Sequence, residues 1–146
     1  MISNIVLPIN DMDIILACIP QRAPMLMVDG LKEYDEKRII ATLTIDVGNI
    51  FVKDQILQES GLIEHMAQSV ALHTGFGYYL RQEQAPIGYI GSISNLDLLQ
   101  SAKIGEQINT EALVLQEFSG VTLVEIVSRI GKTIIAKGQM KTVIAK

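Results

Sequence analysis

The sequence predicts an α+β fold in which an antiparallel sheet of five or six strands wraps one long central helix. Three observations predict it. The stretch Gln58 to Gln82 is the one segment long and apolar enough to form a central helix, and at 100° per residue its apolar side chains keep to no single side. Leu62, Ile63, Met66, Val70, Leu72 and Phe76 spread over most of the circumference, which marks a helix buried on nearly all sides. From Ile87 onward the chain reads as strand, in the runs Ile87–Leu99, Gln107–Glu117, Val121–Ile130 and Thr133–Ile144. Finally, 146 residues that are 49% hydrophobic and 19% charged make one globular domain, spanning 1–146, with enough apolar material for its own core.

Taken in order, Asn10-Asp11 caps a short helix carrying Met12, Ile14, Ile15 and Cys18, and Pro20 ends it. Ile19-Pro20-Gln21-Arg22-Ala23-Pro24 is an extended elbow, because each proline pushes its predecessor out of the helical region. A strand is predicted from Met25, with Met25, Met27 and Leu31 on one face and a bend at Asp29-Gly30. The polar turn Asp35-Glu36-Lys37 leads to a second strand, where Ile39, Ala41, Leu43 and Ile45 alternate against Arg38, Ile40, Thr42 and Thr44, so the two form a hairpin. Asp46 to Leu57 is irregular, with turn signals at Gly48-Asn49 and Lys53-Asp54. After the long helix, the short links Ser119-Gly120 and Gly131-Lys132 give antiparallel hairpins, and 101–106 gives a longer connection. In the last strand Ile134, Ala136, Gly138, Met140 and Thr142 are predicted to share one face, with Lys137, Gln139 and Lys141 on the wet one.

A net charge of −4 without a lysine or arginine cluster disfavours nucleic acid and anionic membrane surfaces as partners. No apolar run approaches a membrane span and the N-terminus lacks a secretory pattern, so the expected location is cytoplasmic. The single cysteine, Cys18, excludes an intrachain disulfide and a cysteine-built metal site, and reads as a small buried apolar residue of the first helix.

One stripe of the long helix differs from the rest. Ser60, Glu64, Gln68, Ala71 and Gly75 recur at spacings of four, four, three and four, a line of small side chains broken by a carboxylate and an amide. This stripe is the candidate site. Each member also has a plainer reading. Glu64 can pair with a backbone amide or with Arg22, Gln68 can satisfy a strand carbonyl or orient Glu64, and Ala71 and Gly75 can simply let the helix lie close to the sheet, or leave room for an acyl chain. His65 and His73, each alone in sequence, read first as hydrogen-bonded structural histidines. Asp97, on an apolar strand, is expected to face outward.

The run Ile19 to Asp29, with Glu64-His65-Met66-Ala67-Gln68 on the helix, resembles hotdog-fold 3-hydroxyacyl-(acyl carrier protein) dehydratases of fatty-acid synthesis. Their pattern opens Leu-Pro-His-Arg-x-Pro-Phe-Leu-Leu-Val-Asp and carries Glu-Ala-Met-Ala-Gln on the central helix. Ile87-Gly88-Tyr89-Ile90-Gly91-Ser92 and Ile104-Gly105-Glu106 are similar to the strand and turn that follow. The likeness is greatest to a divergent branch of dehydratase-like proteins associated with aryl polyene pigments. It implies a hotdog fold and dehydration of an (R)-3-hydroxyacyl thioester, with Glu64 and secondarily His65 as catalytic residues. Ser60, Gly61, Leu62, Gln68, Ala71 and Gly91 are the substrate-binding candidates, and no cofactor or metal is expected. The first N–H groups of the helix, around Ser60-Gly61-Leu62, are candidates to receive the thioester oxygen, with Gly61 allowing a close approach.

The resemblance further implies an acyl carrier protein or coenzyme A thioester as substrate. It implies a homodimer paired through the Ile87–Leu99 edge, where Gly88 and Gly91 permit close backbone contact, or a heterodimer with another hotdog protein. One departure is large. The dehydratases place a Gly-His-Phe-Pro histidine fourteen residues before the glutamate, and that count from Glu64 lands on Ile50. A hotdog thioesterase, or an acyl-binding subunit without catalysis, are the alternative readings.

Overall fold

The computed structural model describes residues 5–145. Its elements run α1 (Met12–Cys18), β1 (Gly30–Asp35), β2 (Arg38–Thr44), the two-residue pair β3 (Val52–Lys53) and β4 (Ile56–Leu57), then α2 (Glu59–Leu80). Four strands complete it: β5 (Gly88–Leu98), β6 (Gln107–Phe118), β7 (Val121–Ile130) and β8 (Thr133–Ile144). Six of the strands form one antiparallel sheet in the order β1-β2-β6-β7-β8-β5, with β1 and β5 at its edges. Tight turns fix the meander of β6, β7 and β8. Ser119, Gly120 and Gly131 all adopt positive φ, the conformation such reversals need.

The long helix packs on one face of this sheet. Leu62, Met66, Val70, Leu72 and Phe76 of α2 share a buried cluster with Ile39, Ala41 and Leu43 of β2, Ile108 and Ala112 of β6, Val124 and Ile126 of β7, and Ala136 and Met140 of β8. Each of the Val, Leu, Ile, Phe and Met side chains contributes about 1.5–3 kcal/mol by leaving water. The helix is half of a two-layer core.

α1 forms because Asp11 accepts the Asp13 N–H at 2.9 Å, and it stops where Ile19 turns extended before Pro20. Its open C-terminal end is closed by Arg22, whose guanidinium donates to the carbonyl oxygens of Leu16 (2.9 Å), Ile19 (2.7 Å) and Gln21 (2.8 Å). α1 then lies directly on α2 at Gly75, where a Cβ would fall on the carbonyl of Cys18. Gly75 therefore sets the approach of the two helices, rather than that of helix and sheet.

Two strand expectations are corrected. β1 begins at Gly30, not Met25, because Met25 and Met27 are held by side chains of α2 in place of a strand neighbour; the first main-chain link to β2 is the Asp29 N–H to Thr42 O, at 2.9 Å. In β8 a register shift opposite Ser128 and Arg129 buries Ile135 and turns Ile134 outward, so Ile134 does not share the face of Ala136, Gly138 and Met140. The irregular stretch before α2 contains the small β3–β4 pair, whose turn uses positive φ at Asp54 and Gln55.

β5 is exposed along most of its length. A shift at Gly91 puts Ile90 and Ile93 on the same face as their partners Thr142 and Met140, the face that α2 covers elsewhere. Yet Ile90 and Ile93 stay 41% and 40% exposed, and Tyr89 on the outer face 60%. The sheet extends beyond its helix. Among the described residues, no helix is long and apolar enough to cross a membrane.

Candidate functional site

α2 carries three buried polar side chains, His65, Gln68 and Ser69, in an otherwise apolar layer. Burying them without partners would be costly; the segment before β1 partners Gln68 and His65, Thr110 of β6 takes the second nitrogen of His65, and Ser69 donates to the His65 carbonyl. Gln68 acts like a strand neighbour: its Oε1 accepts the Met27 N–H at 2.7 Å and its Nε2 donates to Met25 O at 2.8 Å. The same Nε2 donates to Glu64 Oε2 at 3.0 Å, one helical turn away. Gln68 thus binds both Glu64 and main chain, although that main chain is the loop before β1 and not the strand expected.

His65 points to the sheet. Its Nδ1 is 2.7 Å from Met27 O and its Nε2 is 2.8 Å from Thr110 Oγ1, which in turn is 2.6 Å from Ser128 Oγ. A carbonyl only accepts, so Nδ1 carries the proton, Nε2 accepts from Thr110, and Thr110 accepts from Ser128. Full burial pushes the imidazole pKa down to about 4, although the Met27 carbonyl and Asp29 pull the other way. Both ring nitrogens are committed. Met27 is held a third time by Asn49, whose Nδ2 is 3.3 Å from the Met27 sulfur.

Beside Glu64 lies a cavity of about 600 Å³, between the two helices and the edge strand β5 with its neighbour β8. The stripe Glu64, Gln68, Ala71 and Gly75, flanked by Ala67, Val70 and Thr74, forms its α2 wall. Leu16 to Arg22, the end of α1 and the elbow, form a second wall. Ile87 to Ile90 with Thr142 to Ile144 form the third. Glu64 is half-buried and on this wall, held by Gln68 and not by Arg22, whose guanidinium is spent on the end of α1.

The cavity brings together Glu64, Gln68 and Ala71 of the predicted site residues, and leaves the others elsewhere. Ser60 is exposed beside a separate shallow depression with Ser101. Leu62 is core, and the space that Gly61 leaves is filled by Phe51 and by Leu57 at 2.8 Å. The N–H groups of Gly61 and Leu62 both go to Gln58 O, at 3.0 and 3.1 Å, so they do not stand open for a thioester oxygen. Gly91 occupies the β5 irregularity and is absent from the cavity wall, although Gly88 is on it. His65 is sealed in the core. His73 donates its Nε2–H to Asp35 O (2.9 Å), packs on Tyr34, and has its pKa lowered chiefly by burial. Cys18 is buried, its thiol pKa pushed up to about 11 by that burial. Asp97 faces solvent.

Sequence reasoning missed the Leu16–Arg22 wall and the Thr110–Ser128 pair. A hydroxyl residue at an inward position on each of two paired strands was the available signal for the second. The first had only the double-proline elbow to announce it. Among the described residues, no group of three His, Cys, Asp or Glu side chains is placed to hold a metal ion.

The chain is 26% identical to the 3-hydroxyacyl-[acyl-carrier-protein] dehydratase FabZ of Thermotoga neapolitana over 135 residues, covering 89% of this chain and 94% of that protein. In fold it is similar to the dehydratase heterocomplex ApeI:P from Xenorhabdus doucetiae, with a TM-score of 0.83 at 16% identity over 90% of this chain and 91% of that one. It also shares the fold of a hypothetical thioesterase with coenzyme A from Streptococcus pneumoniae TIGR4, with a TM-score of 0.63 at 8% identity, covering 79% of this chain and 84% of the other. The family model described as ApeP-like, ApeP dehydratase, matches residues 14–145. A match of that extent, on a six-stranded sheet around one long helix, means that the chain belongs to the ApeP-like family of hotdog 3-hydroxyacyl-(acyl carrier protein) dehydratase-like proteins.

Proposed function

We propose that this protein takes 3-hydroxyacyl thioesters, presented on an acyl carrier protein or on coenzyme A, into the cavity along α2 and removes water from them. Glu64 is the proton-transfer residue, and the working form is a hotdog pair. The observation that carries this reading is the half-buried Glu64 carboxylate, fixed by Gln68 on the wall of a cavity large enough for an acyl chain.

Dehydration takes a proton from carbon 2, and the released electron pair forms the bond between carbons 2 and 3. The hydroxyl on carbon 3 then departs with a proton as water. Two proton movements are needed and the cavity offers one carboxyl. The chain has two histidines, and the structure commits both: His65 to Met27 and Thr110, His73 to Asp35. A second copy of this chain brings the same two, so a mixed pair, in which a different hotdog subunit supplies the histidine, is favoured over the homodimer as the catalytic form. Exposed Ile90 and Ile93 on β5 support pairing through that edge.

The test is product identity. The purified protein, alone and with any hotdog partner that co-purifies from native cells, is incubated with a 3-hydroxyacyl thioester and the acyl group is weighed by mass spectrometry. Loss of one water in the mixed pair is the expected result. Free thiol instead identifies a thioesterase. Neither product, with the ligand still bound, identifies an acyl-binding subunit, a reading that Ile50 at the family's histidine position also favours.

A further inference from the structure

Two of the polar groups on the cavity wall nearest the elbow are already occupied. Arg22 gives its guanidinium to three carbonyl oxygens, and both ends of the Gln68 amide are engaged. Gln21, next to Arg22 on the elbow, is different: its side-chain oxygen Oε1 is buried with no hydrogen-bond partner, and its residue lies on the cavity wall. A buried amide oxygen without a donor has lost its water and gained nothing, so a group that supplies a donor there is bound more tightly for it. The residue as a whole is part-exposed while Oε1 is closed to solvent, so a ligand reaches that oxygen only after a side-chain rotation that turns the amide to the cavity.

The elbow that carries Gln21 is tied to the catalytic candidate. Met25, four residues on, gives its carbonyl to the same Gln68 Nε2 that holds Glu64 Oε2. With the Gln21 amide so turned, the wall presents two acceptors to a ligand, Gln21 Oε1 and the Glu64 carboxylate. A saturated acyl chain carries no donor for either. A 3-hydroxyacyl chain does. We propose that Gln21 is a specificity residue that accepts the hydrogen of the substrate's 3-hydroxyl, leaving the lone pairs of that oxygen free for the incoming proton. The proposal rests on the thioester-dehydration reading above.

The experiment compares two ligands of equal chain length that cannot be hydrolysed as thioesters, a 3-hydroxyacyl and a saturated acyl pantetheine amide. Their affinities are measured for the purified protein, with its hotdog partner where one co-purifies, and for Gln21→Leu and Gln21→His. The wild type is expected to prefer the hydroxylated ligand, and Gln21→Leu to reduce that preference about fivefold to tenfold, the size of one neutral hydrogen bond. The saturated ligand should bind Gln21→Leu at least as well as wild type. Gln21→His, which restores an acceptor, should recover part of the preference. An unchanged preference in Gln21→Leu, with a raised melting temperature, makes Gln21 merely a buried orphan and overturns the proposal. Equal weakening of both ligands also overturns it. If neither ligand binds the wild type, the function itself is refuted, which is a distinguishable result.

Discussion

Glu64 and His65 are adjacent in sequence and point about 100° apart on α2, one to the cavity and one to the sheet. The difference fixes their chemistry. His65 is held neutral in the fold, with a pKa near 4 against 6.5 for the free side chain. Its stabilising contribution is therefore complete above pH 6.5, where both folded and unfolded chains hold it neutral. It is lost as the pH falls from 6.5 toward 4, because the unfolded chain takes up a proton that the folded one refuses; the loss approaches about 3 kcal/mol. His73, shifted in the same direction, adds to it. Chemical denaturation across this window should show the drop, and His65→Gln should flatten it; a wild type equally stable at pH 4.5 and 7 would contradict the buried tautomer. Gln68→Leu leaves Met25 O and Met27 N without partners and should cost about 2–4 kcal/mol in urea unfolding. Cys18 should resist alkylation in the native protein at pH 8 and react on unfolding, since its thiol titrates near 11.

At the scale of elements, the sequence and the structure agree wherever one period runs uninterrupted. α2 is legible because its apolar residues occur all round, and β6, β7 and β8 because alternation is punctuated by Ser119-Gly120 and Gly131. The stretch 25–29 is not legible, since alternation there reports a segment gripped by helix side chains as readily as a ladder. Ile134 defeats the same rule because one extra residue reverses every facing beyond it. The Glu64–Gln68 pair is visible as an i, i+4 spacing. The cavity opposite it is not, because it is made where Cys18 meets Gly75 and the chain ends of β5 and β8 come alongside. Gly75→Val tests that contact: its added bulk meets the Cys18 backbone and should lower stability by about 1–3 kcal/mol while displacing the α1 wall. Thermal melting with acyl-ligand binding reads both effects, and a variant as stable and as ligand-competent as wild type would remove Gly75 from the account of the site.

For the whole molecule, the sheet is wider than the helix that covers it, and β5 is the part left over. Under the proposed pairing through β5, Ile90→Lys combined with Ile93→Lys should release the hotdog partner, read as a shift toward the monomer in light scattering. The protomer's own stability should change by no more than about 0.5 kcal/mol per site, as expected for surface positions. Retention of the pair would move the interface elsewhere. The most direct measurement concerns Glu64 in the assembled protein: the rate of water loss from a 3-hydroxyacyl thioester, compared between wild type and Glu64→Gln, with acyl-ligand affinity measured alongside. Turnover is expected to fall by about 100-fold or more with affinity nearly unchanged, as removal of a proton-transfer group does. A Glu64→Gln protein that still releases water at the wild-type rate would contradict a proton-transfer role for this carboxyl.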